Sequence, residues 1–350
     1  MNSEDIRTFE WIWNNRAKCR YDLSRNELYE QDLASLGIRT SYDDYLKEKD
    51  PERYFKQTVA ELYGVDEENV IPTIGGTEAI FIASGYLGSL SREILIPAPE
   101  YEPLFIVPRN LGSSVVLRPD FEAAEAYSGD GSAMLTSPGN PEGVERIELF
   151  DRFSERLGKN SRIYVDETFT EFKFKDRPDS LFNRDQRTIV SGTMTKFFGL
   201  TKIRTGWILS HEEDRKGILR VKSMSSAANP RYPMWLAANV LRGRSRFAGI
   251  VKRLIQSNLP VADEFVSRFD RLSWKKPDSA PFGFVRYDLD VDSVTLCSRI
   301  YEDTGVLLVP GSFFGVEHGF RLCFFLEPSV LIEAFETLTQ YFEDHLSSMG

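Results

Sequence analysis

The stretch from residue 70 to residue 225 alternates short apolar runs with segments of helical periodicity, and this alternation limits the folds open to the chain. The apolar runs lie at residues 94–96, 133–136, 163–165 and 188–190. Strands that alternate with helices are typical of a parallel sheet with helices on both faces. The pattern predicts an α/β fold with a mostly parallel, doubly wound sheet, whose ligand lies at the carboxyl ends of the strands.

The pattern changes beyond residue 225. Two helical segments, at 233–241 and 247–269, are followed by short strands and helices, and the last helix carries one apolar face. This change predicts a smaller α+β domain, against which the N-terminal segment packs. We therefore predict a large ligand-binding domain over residues 45–235 and a small domain formed by residues 1–44 and 236–350.

Length and composition exclude several classes of protein. The chain has 350 residues, 41% of them hydrophobic, which is ample for a large core and a smaller second one. Its net charge of -10 and the lack of a Lys/Arg run argue against a nucleic-acid-binding surface. The first residues are acidic, and no segment approaches about 18 uninterrupted apolar residues. We therefore expect neither export nor a membrane span.

The cysteines and histidines are scattered along the chain. Cys19, Cys297 and Cys323 form no Cys-x-x-Cys pair, and the histidines are equally dispersed. Such spacing favours neither a zinc site nor a disulfide framework. We therefore expect no metal site and a location in the reducing cytoplasm.

One stretch, residues 191–207, combines groups that suit a phosphorylated aldehyde cofactor. It reads SGTMTKFFGLTKIRTGW and sets Lys196 and Arg204 eight residues apart. A lysine amine can form a Schiff base with an aldehyde, and a planar, permanently charged guanidinium suits a phosphate. The hydroxyls of Thr193 and Thr195 can donate hydrogen bonds to the same phosphate. Taken alone, the lysine would equally fit a solvated surface charge.

This stretch resembles the Ser/Thr-x-Ser/Thr-Lys and Arg-x-Gly signature of the fold type I aminotransferases, the aspartate aminotransferase superfamily. Further motifs follow in that family's order, and the resemblance covers about residues 22–345. The pattern is nearest to relatives of histidinol-phosphate aminotransferase and threonine-phosphate decarboxylase. The resemblance implies an enzyme that uses pyridoxal 5′-phosphate (PLP), forms a homodimer, and acts on an amino acid and a 2-oxo acid.

Two glycines open a helix after the first predicted strand. Gly75, Gly76 and Thr77 precede an apolar helical run, without the Gly-Lys-Ser/Thr of a nucleotide P-loop. Backbone N–H groups and the helix dipole at such an N-terminus can face an anion. The resemblance implies that these residues belong to the phosphate cup of the cofactor. A helix-capping turn would use the same glycines.

Tyr101, Asn140 and Asp166 each follow a predicted strand. The resemblance implies that Tyr101 stacks on the pyridine ring and that Asn140, in an Asn-Pro-x-Gly motif, bonds the ring oxygen. Asp166 would keep the pyridine nitrogen protonated, so that the ring can accept an electron pair from Cα. Together with Lys196, Asp166 and Tyr101 form the implied catalytic set. A core tyrosine, a turn and a helix cap would fit the same residue types.

Two residues distant from the lysine are expected to contact the substrate. Arg321 lies between apolar strand residues and resembles the family arginine that pairs bidentately with the substrate α-carboxylate. Asn26 belongs to a Leu-x-x-Asn-Glu segment that lies near the substrate in the family, and Asn140 is expected there too. A structural salt bridge would satisfy the charge of Arg321 as well as a substrate would.

The chain departs from the family pattern at Phe169. Most relatives have Asp-x-x-Tyr, whose phenol touches the ring oxygen, and the phenylalanine lacks that hydroxyl. We expect an aminotransferase, but Phe at this place also fits a PLP-dependent decarboxylase or lyase of the same fold. A cofactor-binding sensor without turnover is a further alternative. The joint presence of Lys196, Asp166 and Arg321 argues against it.

Two aromatic segments near the N-terminus are candidates for contacts with other surfaces. A predicted short helix bears Phe9, Trp11 and Trp13, which would cover a neighbouring surface or a partner subunit. In the resembled family, a tyrosine of the following loop reaches the cofactor phosphate of the other subunit. Either Tyr42 or Tyr45 could do so here.

Overall fold

The computed structural model describes residues 3–91, 93–119 and 131–345. Within this part, the helices are numbered α1 to α11 along the chain: Arg7–Asn15, Tyr42–Tyr45, Pro51–Tyr63, Gly75–Leu90, Pro103–Asn110, Ile147–Arg156, Glu212–Ser225, Arg231–Arg242, Arg244–Ser267, Ser293–Thr304 and Pro328–His345. The strands are numbered β1 to β13: Tyr21–Asp22, Val70–Thr73, Glu93–Ala98, Ser114–Pro119, Ser132–Thr136, Ile163–Asp166, Thr188–Thr193, Gly206–Leu209, Leu272–Trp274, Phe282–Tyr287, Val306–Leu307, Val309–Pro310 and Gly319–Cys323.

Among the described residues, the largest sheet has the strand order β2-β8-β7-β6-β5-β3-β4. The strands from β7 across to β4 pair in parallel, whereas β8 runs antiparallel to both β7 and β2. The prediction of a mostly parallel sheet in an α/β fold is therefore confirmed. The start of the reversed strand β8 lies at the same edge as the carboxyl ends of its parallel neighbours.

Helices cover both faces of this sheet, because successive strand residues point to opposite sides. Leu95 and Val190 belong to a core shared with α3, α6 and α8. Their neighbours Ile94 and Ile189 belong to a second core, shared with α4, α5 and α7. Every residue of β5, β6 and β7 is buried, which explains why these strands read as continuous apolar runs.

Helix α3 shows how local signals set element boundaries. The side chain of Asp50 accepts a hydrogen bond from the backbone N–H of Arg53 at 3.0 Å, and Pro51 occupies the first turn. Gly64 ends the helix with a φ of 67°, in the left-handed region that favours glycine. Residues at both ends of the helix therefore set its boundaries.

The C-terminal part contains an antiparallel sheet in the order β12-β13-β10-β9. Its apolar face packs with α9, α10 and α11 into a core of its own. Strand β1 pairs in parallel with β11, so residues near the N-terminus lie against this part. The domain boundaries at residues 44/45 and 235/236 stay a prediction.

Two elements of the large sheet region, β4 and α5, carried no clear sequence signal. Strand β4 lies at the sheet edge, and its residues are half-buried or exposed, so it lacks a continuous apolar run. Helix α5 contains Pro108, which interrupts the usual helical pattern. No helix in the described part of the chain is long and apolar enough to span a membrane.

Candidate active site

A cavity of about 580 Å³ opens at the carboxyl edge of the large sheet. Its lining includes residues from the N-terminal segment, the large sheet region and the C-terminal part. The predicted site residues that line it are Asn26, Gly76, Thr77, Tyr101, Asn140, Asp166, Thr193, Thr195, Lys196, Arg204 and Arg321. Gly75 lies directly behind the guanidinium of Arg204. The structure therefore brings all the predicted site residues together.

Strand ends explain this convergence. Asp166 is the last residue of β6, and Thr193 is the last residue of β7, three residues before Lys196. Asn140 follows the end of β5. Arg204 precedes β8, whose reversed direction brings its start to the same edge. Local chain order and sheet topology thus place these groups around one cavity.

The N-terminus of α4 and Arg204 form a positively polarised corner. The side chain of the N-cap residue Ile74 does not cap the helix, and the Ile74 N–H donates to Glu78 Oε2. Gly76 and Thr77 of the first turn line the cavity, where their N–H groups and the helix dipole suit an anion. Gly75 has a φ of 75°, and a Cβ there would lie 2.9 Å from the Arg204 guanidinium. Glycine therefore permits the close approach. The hydroxyls of Thr193 and Thr195, 3.0 Å apart, complete the corner.

Asp166 is buried and held on one side. Its Oδ1 accepts hydrogen bonds from the backbone N–H of Thr168 at 3.1 Å, from the Thr168 hydroxyl at 2.5 Å and from the Ser191 hydroxyl at 3.3 Å. Burial raises the pKa of Asp166, and the bonds from Thr168 and Ser191 oppose that rise. Because these bonds fall on Oδ1, the Oδ2 atom is available to a protonated nitrogen of a ligand.

Lys196 contacts the N-terminal loop with both side chain and backbone. Its Nζ donates a hydrogen bond to Asn26 Oδ1 at 2.7 Å and lies 3.4 Å from Glu27 Oε2. Its carbonyl accepts a hydrogen bond from Leu28 N–H at 2.9 Å. Burial lowers the pKa of Lys196, whereas the charge of Glu27 raises it. The two effects together set how readily the amine gives up its proton.

Glu27 is a site residue that sequence reasoning did not select. Burial alone would raise the pKa of this carboxyl, but Lys196, Arg16 and Arg25 lower it to about 2. It is therefore ionised throughout the neutral range. The signal was present in the Asn26-Glu27 pair of the loop, but only the fold shows that both side chains reach Lys196.

Arg321 is a buried cation with polar partners but no carboxylate. Its Nη1 donates to Asn140 Oδ1 at 2.9 Å and its Nη2 to the Ser24 carbonyl at 3.3 Å. The rings of Phe282 and Phe314 lie 5.5 and 5.3 Å from its guanidinium carbon. Its Nε has no hydrogen-bond partner, and no described carboxylate lies within ion-pair distance. Such a charge is well suited to bind an anionic ligand.

Glu100 is a buried carboxylate that links the Tyr101 and Asn140 segments of the site. It accepts hydrogen bonds from the N–H groups of Tyr101 at 2.7 Å and Thr136 at 2.9 Å, and it pairs with Arg146 at 2.8 Å. Thr136 Oγ1 in turn accepts from Asn140 N–H at 2.7 Å. Burial raises the pKa of Glu100 to about 7, despite the opposing charge of Arg146. The Tyr101 and Asn140 segments are thereby tied together.

Helix α1 forms one wall of the cavity, which the sequence did not predict. Its aromatic face had two possible locations, a neighbouring surface of the chain or a partner subunit. The structure places this face over the site of its own chain, where the Phe9 ring meets Tyr101 edge-on with centroids 6.5 Å apart. The α1 residues that line the cavity are Thr8, Phe9, Ile12 and Trp13, followed by Arg16 just after the helix.

Phe169 lines the cavity, and its ring packs edge-on against Phe282 with centroids 4.7 Å apart. It offers no hydroxyl at this position. Tyr42 and Tyr45 lie elsewhere, on α2, and do not line the cavity of their own chain. Their rings cluster with Tyr232.

The sequence matches the family model for aminotransferase class I and II over residues 42–338. This chain belongs to the aminotransferase class I and II family. The chain is therefore a PLP-dependent aminotransferase, and the predicted family, enzyme class and cofactor are confirmed.

Relatives are similar over most of their length. Histidinol-phosphate aminotransferase 2 of Carboxydothermus hydrogenoformans is 24% identical over 293 residues, 76% of this chain and 75% of that protein. Capreomycidine synthase of Streptomyces vinaceus is 23% identical over 347 residues, 90% of this chain and 88% of the relative. The fold resembles a crystal structure of a PLP-dependent aminotransferase from Streptococcus suis 89-1591. That comparison has a TM-score of 0.87 and 22% identity, and covers 98% of this chain and 99% of the other.

The residues of the cavity fit PLP. The uncapped start of α4 and Arg204 suit a phosphate, and a side chain at Gly75 would intrude on that corner. The exposed oxygen of the buried Asp166 suits a protonated ring nitrogen. Lys196 lines the same cavity and provides the amine that suits the cofactor aldehyde.

Proposed function

We propose that the aminotransferase reaction takes place at this cavity, with Lys196, Asp166 and Tyr101 as catalytic residues. The amino group would pass from an amino acid to a 2-oxo acid. One observation carries the proposal: the amine of Lys196 and the buried, carboxylate-free cation of Arg321 line the same cavity. An amino acid presents the two groups that such a pair would handle, a Cα–H bond and a carboxylate.

The cofactor would be held from several sides by this chain. Arg204, the hydroxyls of Thr193 and Thr195 and the N–H groups at Gly76 and Thr77 would bind its phosphate. Bound PLP supplies an aldehyde that receives the substrate amino group and a ring that accepts the electron pair left at Cα. Asp166 would keep a proton on the ring nitrogen, Tyr101 would hold the ring plane, and Asn140 would bond the ring oxygen.

The substrate would be oriented by Arg321 and processed by Lys196. The Arg321 guanidinium would bind the α-carboxylate, and Asn26 and Asn140 would contact the rest of the amino acid. The Lys196 amine would then remove the proton from Cα and later return a proton. Burial lowers the pKa of Lys196, which favours the neutral amine that this step requires.

Transamination is favoured over decarboxylation. Phe169 is the residue that also fits a decarboxylase or lyase. Its lack of a hydroxyl removes one predicted hydrogen bond to the ring oxygen of the cofactor. The family description and the aminotransferase names of several relatives support amino transfer. A carboxylate bound by Arg321 would stay on the substrate while the Cα–H bond breaks.

We also propose a cytoplasmic homodimer. An exposed aromatic surface supports an interface: Tyr42 is 60% exposed and packs beside Tyr45 and Tyr232. Tyr42 is the more exposed of the two candidate tyrosines, and it would reach the cofactor phosphate of the partner subunit. The cysteines Cys19, Cys297 and Cys323 are all unpaired, which suits the reducing cytoplasm.

The proposal is tested by visible absorbance of the PLP-loaded protein, before and after single amino acids are added. We expect a band from covalently held cofactor that converts to the pyridoxamine form with at least one amino acid and returns with a 2-oxo acid. Lys196→Ala should lose the band and the conversion. Release of carbon dioxide without conversion would replace this function with decarboxylation, and absence of the band in wild type would remove Lys196 from the reaction.

A further inference from the structure

Two acceptors from adjacent residues converge on one ammonium group. Asn26 Oδ1 accepts from Lys196 Nζ at 2.7 Å, and Glu27 Oε2 lies 3.4 Å from the same nitrogen. Both side chains are buried residues that line the cavity. Their oxygens therefore form a cation-binding pair, which the chain fills with its own lysine.

The two oxygens of Glu27 face different partners. Oε1 pairs with Arg16 at 3.2 Å and with Arg25 at 3.7 Å, whereas Oε2 faces Lys196. The two arginines hold the carboxylate through Oε1, the oxygen that does not face Lys196. Oε2 can therefore exchange one cation for another while the carboxylate stays in place.

Lys196 must leave this pair when it takes part in the reaction. A lysine that removes a proton from Cα acts as a neutral amine, so it no longer places a positive charge against Glu27 Oε2. Arg16 and Arg25 still pair with Oε1, but the buried Oε2 loses its donor, and a buried acceptor without a donor is costly. Glu27 Oε2 and Asn26 Oδ1 can then accept hydrogen bonds from a positively charged group of the substrate.

Arg16, which lines this side of the cavity, is already paired within the chain and offers little charge to an acidic substrate side chain. Arg16 pairs through Nε with Asp22 at 2.7 Å, through Nη1 with Glu27 at 3.2 Å, and through Nη2 with the Ser24 hydroxyl at 3.4 Å. Two carboxylates and a hydroxyl thus already lie against its guanidinium. The acceptors next to Lys196 that a substrate can reach are Asn26 Oδ1 and Glu27 Oε2.

We propose that Asn26 Oδ1 and Glu27 Oε2 recognise a cationic substrate side chain, so that the preferred amino donor is an amino acid with a side-chain amine or guanidinium. This inference rests on the proposed function, since it adds a substrate class to the same cavity. Glu27 is its specificity-determining residue. Arg321 takes the α-carboxylate, and the acceptor pair takes the distal cation.

The test compares two inert ligands that differ in one charge. α-Methyllysine and α-methylnorleucine have no Cα hydrogen, so they bind without being transaminated, and their chains differ only by the terminal amine. Calorimetric titration of the PLP-loaded protein should give a Kd at least about 10-fold lower for α-methyllysine, or about 1.4 kcal/mol. In Glu27→Gln the two Kd values should become nearly equal, through loss of α-methyllysine binding.

Glu30→Gln is the matched control, because Glu30 lies in the same loop but pairs with the exposed Lys202. It should retain the wild-type ratio of Kd values. Unchanged binding of α-methylnorleucine by Glu27→Gln shows that the variant is folded around its site.

Equal wild-type affinities, or tighter binding of α-methylnorleucine, would overturn the inference. An equal loss for both ligands in Glu27→Gln would assign Glu27 a general structural role instead. Failure of the proposed function has a different signature, because no reactive amino acid of any charge would then convert the cofactor absorbance. Conversion by norleucine but not by lysine would remove the cationic substrate class and leave amino transfer intact.

Discussion

Arg16 and Arg321 line the same cavity, but their partners differ. Arg16 is enclosed by the carboxylates of Asp22 and Glu27, so its charge is neutralised within the chain. Among the described residues, Arg321 meets an amide oxygen, a carbonyl oxygen and two aromatic rings but no carboxylate. The two arginines therefore suit different roles: Arg16 is paired within the chain and is structural, whereas Arg321 can bind an anionic ligand.

Arg321→Lys should weaken substrate binding without loss of cofactor. A lysine keeps the charge but cannot form two parallel hydrogen bonds with a carboxylate. Loss of one charge-assisted bond of about 1.5–3 kcal/mol predicts that kcat/KM falls by roughly 10- to 100-fold. Steady-state kinetics measures this change, and the absorbance band of the loaded protein should stay.

Arg286→Lys is the control, because Arg286 is exposed on β10, the strand that pairs with the Arg321 strand β13. It should leave kcat/KM unchanged. Equal kinetics for Arg321→Lys and wild type would show that the α-carboxylate binds elsewhere.

At the scale of secondary-structure elements, helix α1 forms a wall of the cavity that the sequence did not predict. Glu102, buried at the start of α5, accepts the Thr8 N–H at 2.6 Å and pairs with Arg7 at 3.2 Å. Farther along the helix, Trp11 Nε1 donates to the Leu308 carbonyl at 2.8 Å. The helix is therefore attached to both the large sheet region and the C-terminal part, and it closes the cavity between them.

Glu102→Gln should loosen α1 while leaving the sheet intact. The neutral amide weakens both charge-assisted contacts, by about 1–3 kcal/mol in total. Hydrogen exchange followed by mass spectrometry should show faster exchange in residues 7–15 and unchanged exchange in β5 to β7. The KM for the amino donor should rise more than kcat falls, because α1 forms a wall of the cavity.

The comparison variant is Glu148→Gln, since Glu148 is exposed in the first turn of α6. It should leave exchange in α1 as in wild type. If Glu102→Gln does the same, then the contacts of Trp11 suffice to hold the helix.

At the scale of the whole molecule, buried carboxylates make stability depend on pH. Glu167 accepts the Leu181 N–H through Oε1 at 2.6 Å, and its buried Oε2 has no hydrogen-bond partner. Burial raises the pKa of Glu167 to about 7 from an ordinary value of 4.5. The stability tied to its protonated form is present below pH 4.5 and is lost as pH rises through about 7.

Glu167→Gln should remove this part of the pH dependence. The amide keeps the acceptor for Leu181 but cannot ionise, so the free energy of unfolding should fall less between pH 5 and pH 8 than in wild type. A pKa rise of this size corresponds to roughly 2–3 kcal/mol. Chemical denaturation at several pH values measures the difference, and parallel curves for the two proteins would contradict it.

Sequence signals predicted elements wherever burial left a local pattern. The strands β5, β6 and β7 are buried on both faces, so they read as apolar runs, and α3 carries its own start and stop residues. The edge strand β4 and the proline-containing α5 lack such patterns and were missed. Tyr101, Asn140 and Asp166 were predictable because each lies at or just after the end of a strand that faces the ligand.

The amino-acid sequence alone was enough to indicate the α/β sheet, the cofactor class and the residues around Lys196, because those signals are local and occur in chain order. The charge environment of the site depends on contacts between distant residues. Glu27 and Lys196 are 169 positions apart, and Asn140 and Arg321 are 181 positions apart. No local periodicity reports such pairings, because they form only when the sheet edges, α1 and the C-terminal part pack together. That packing makes Glu27 a partner of the catalytic lysine and leaves Arg321 without a carboxylate.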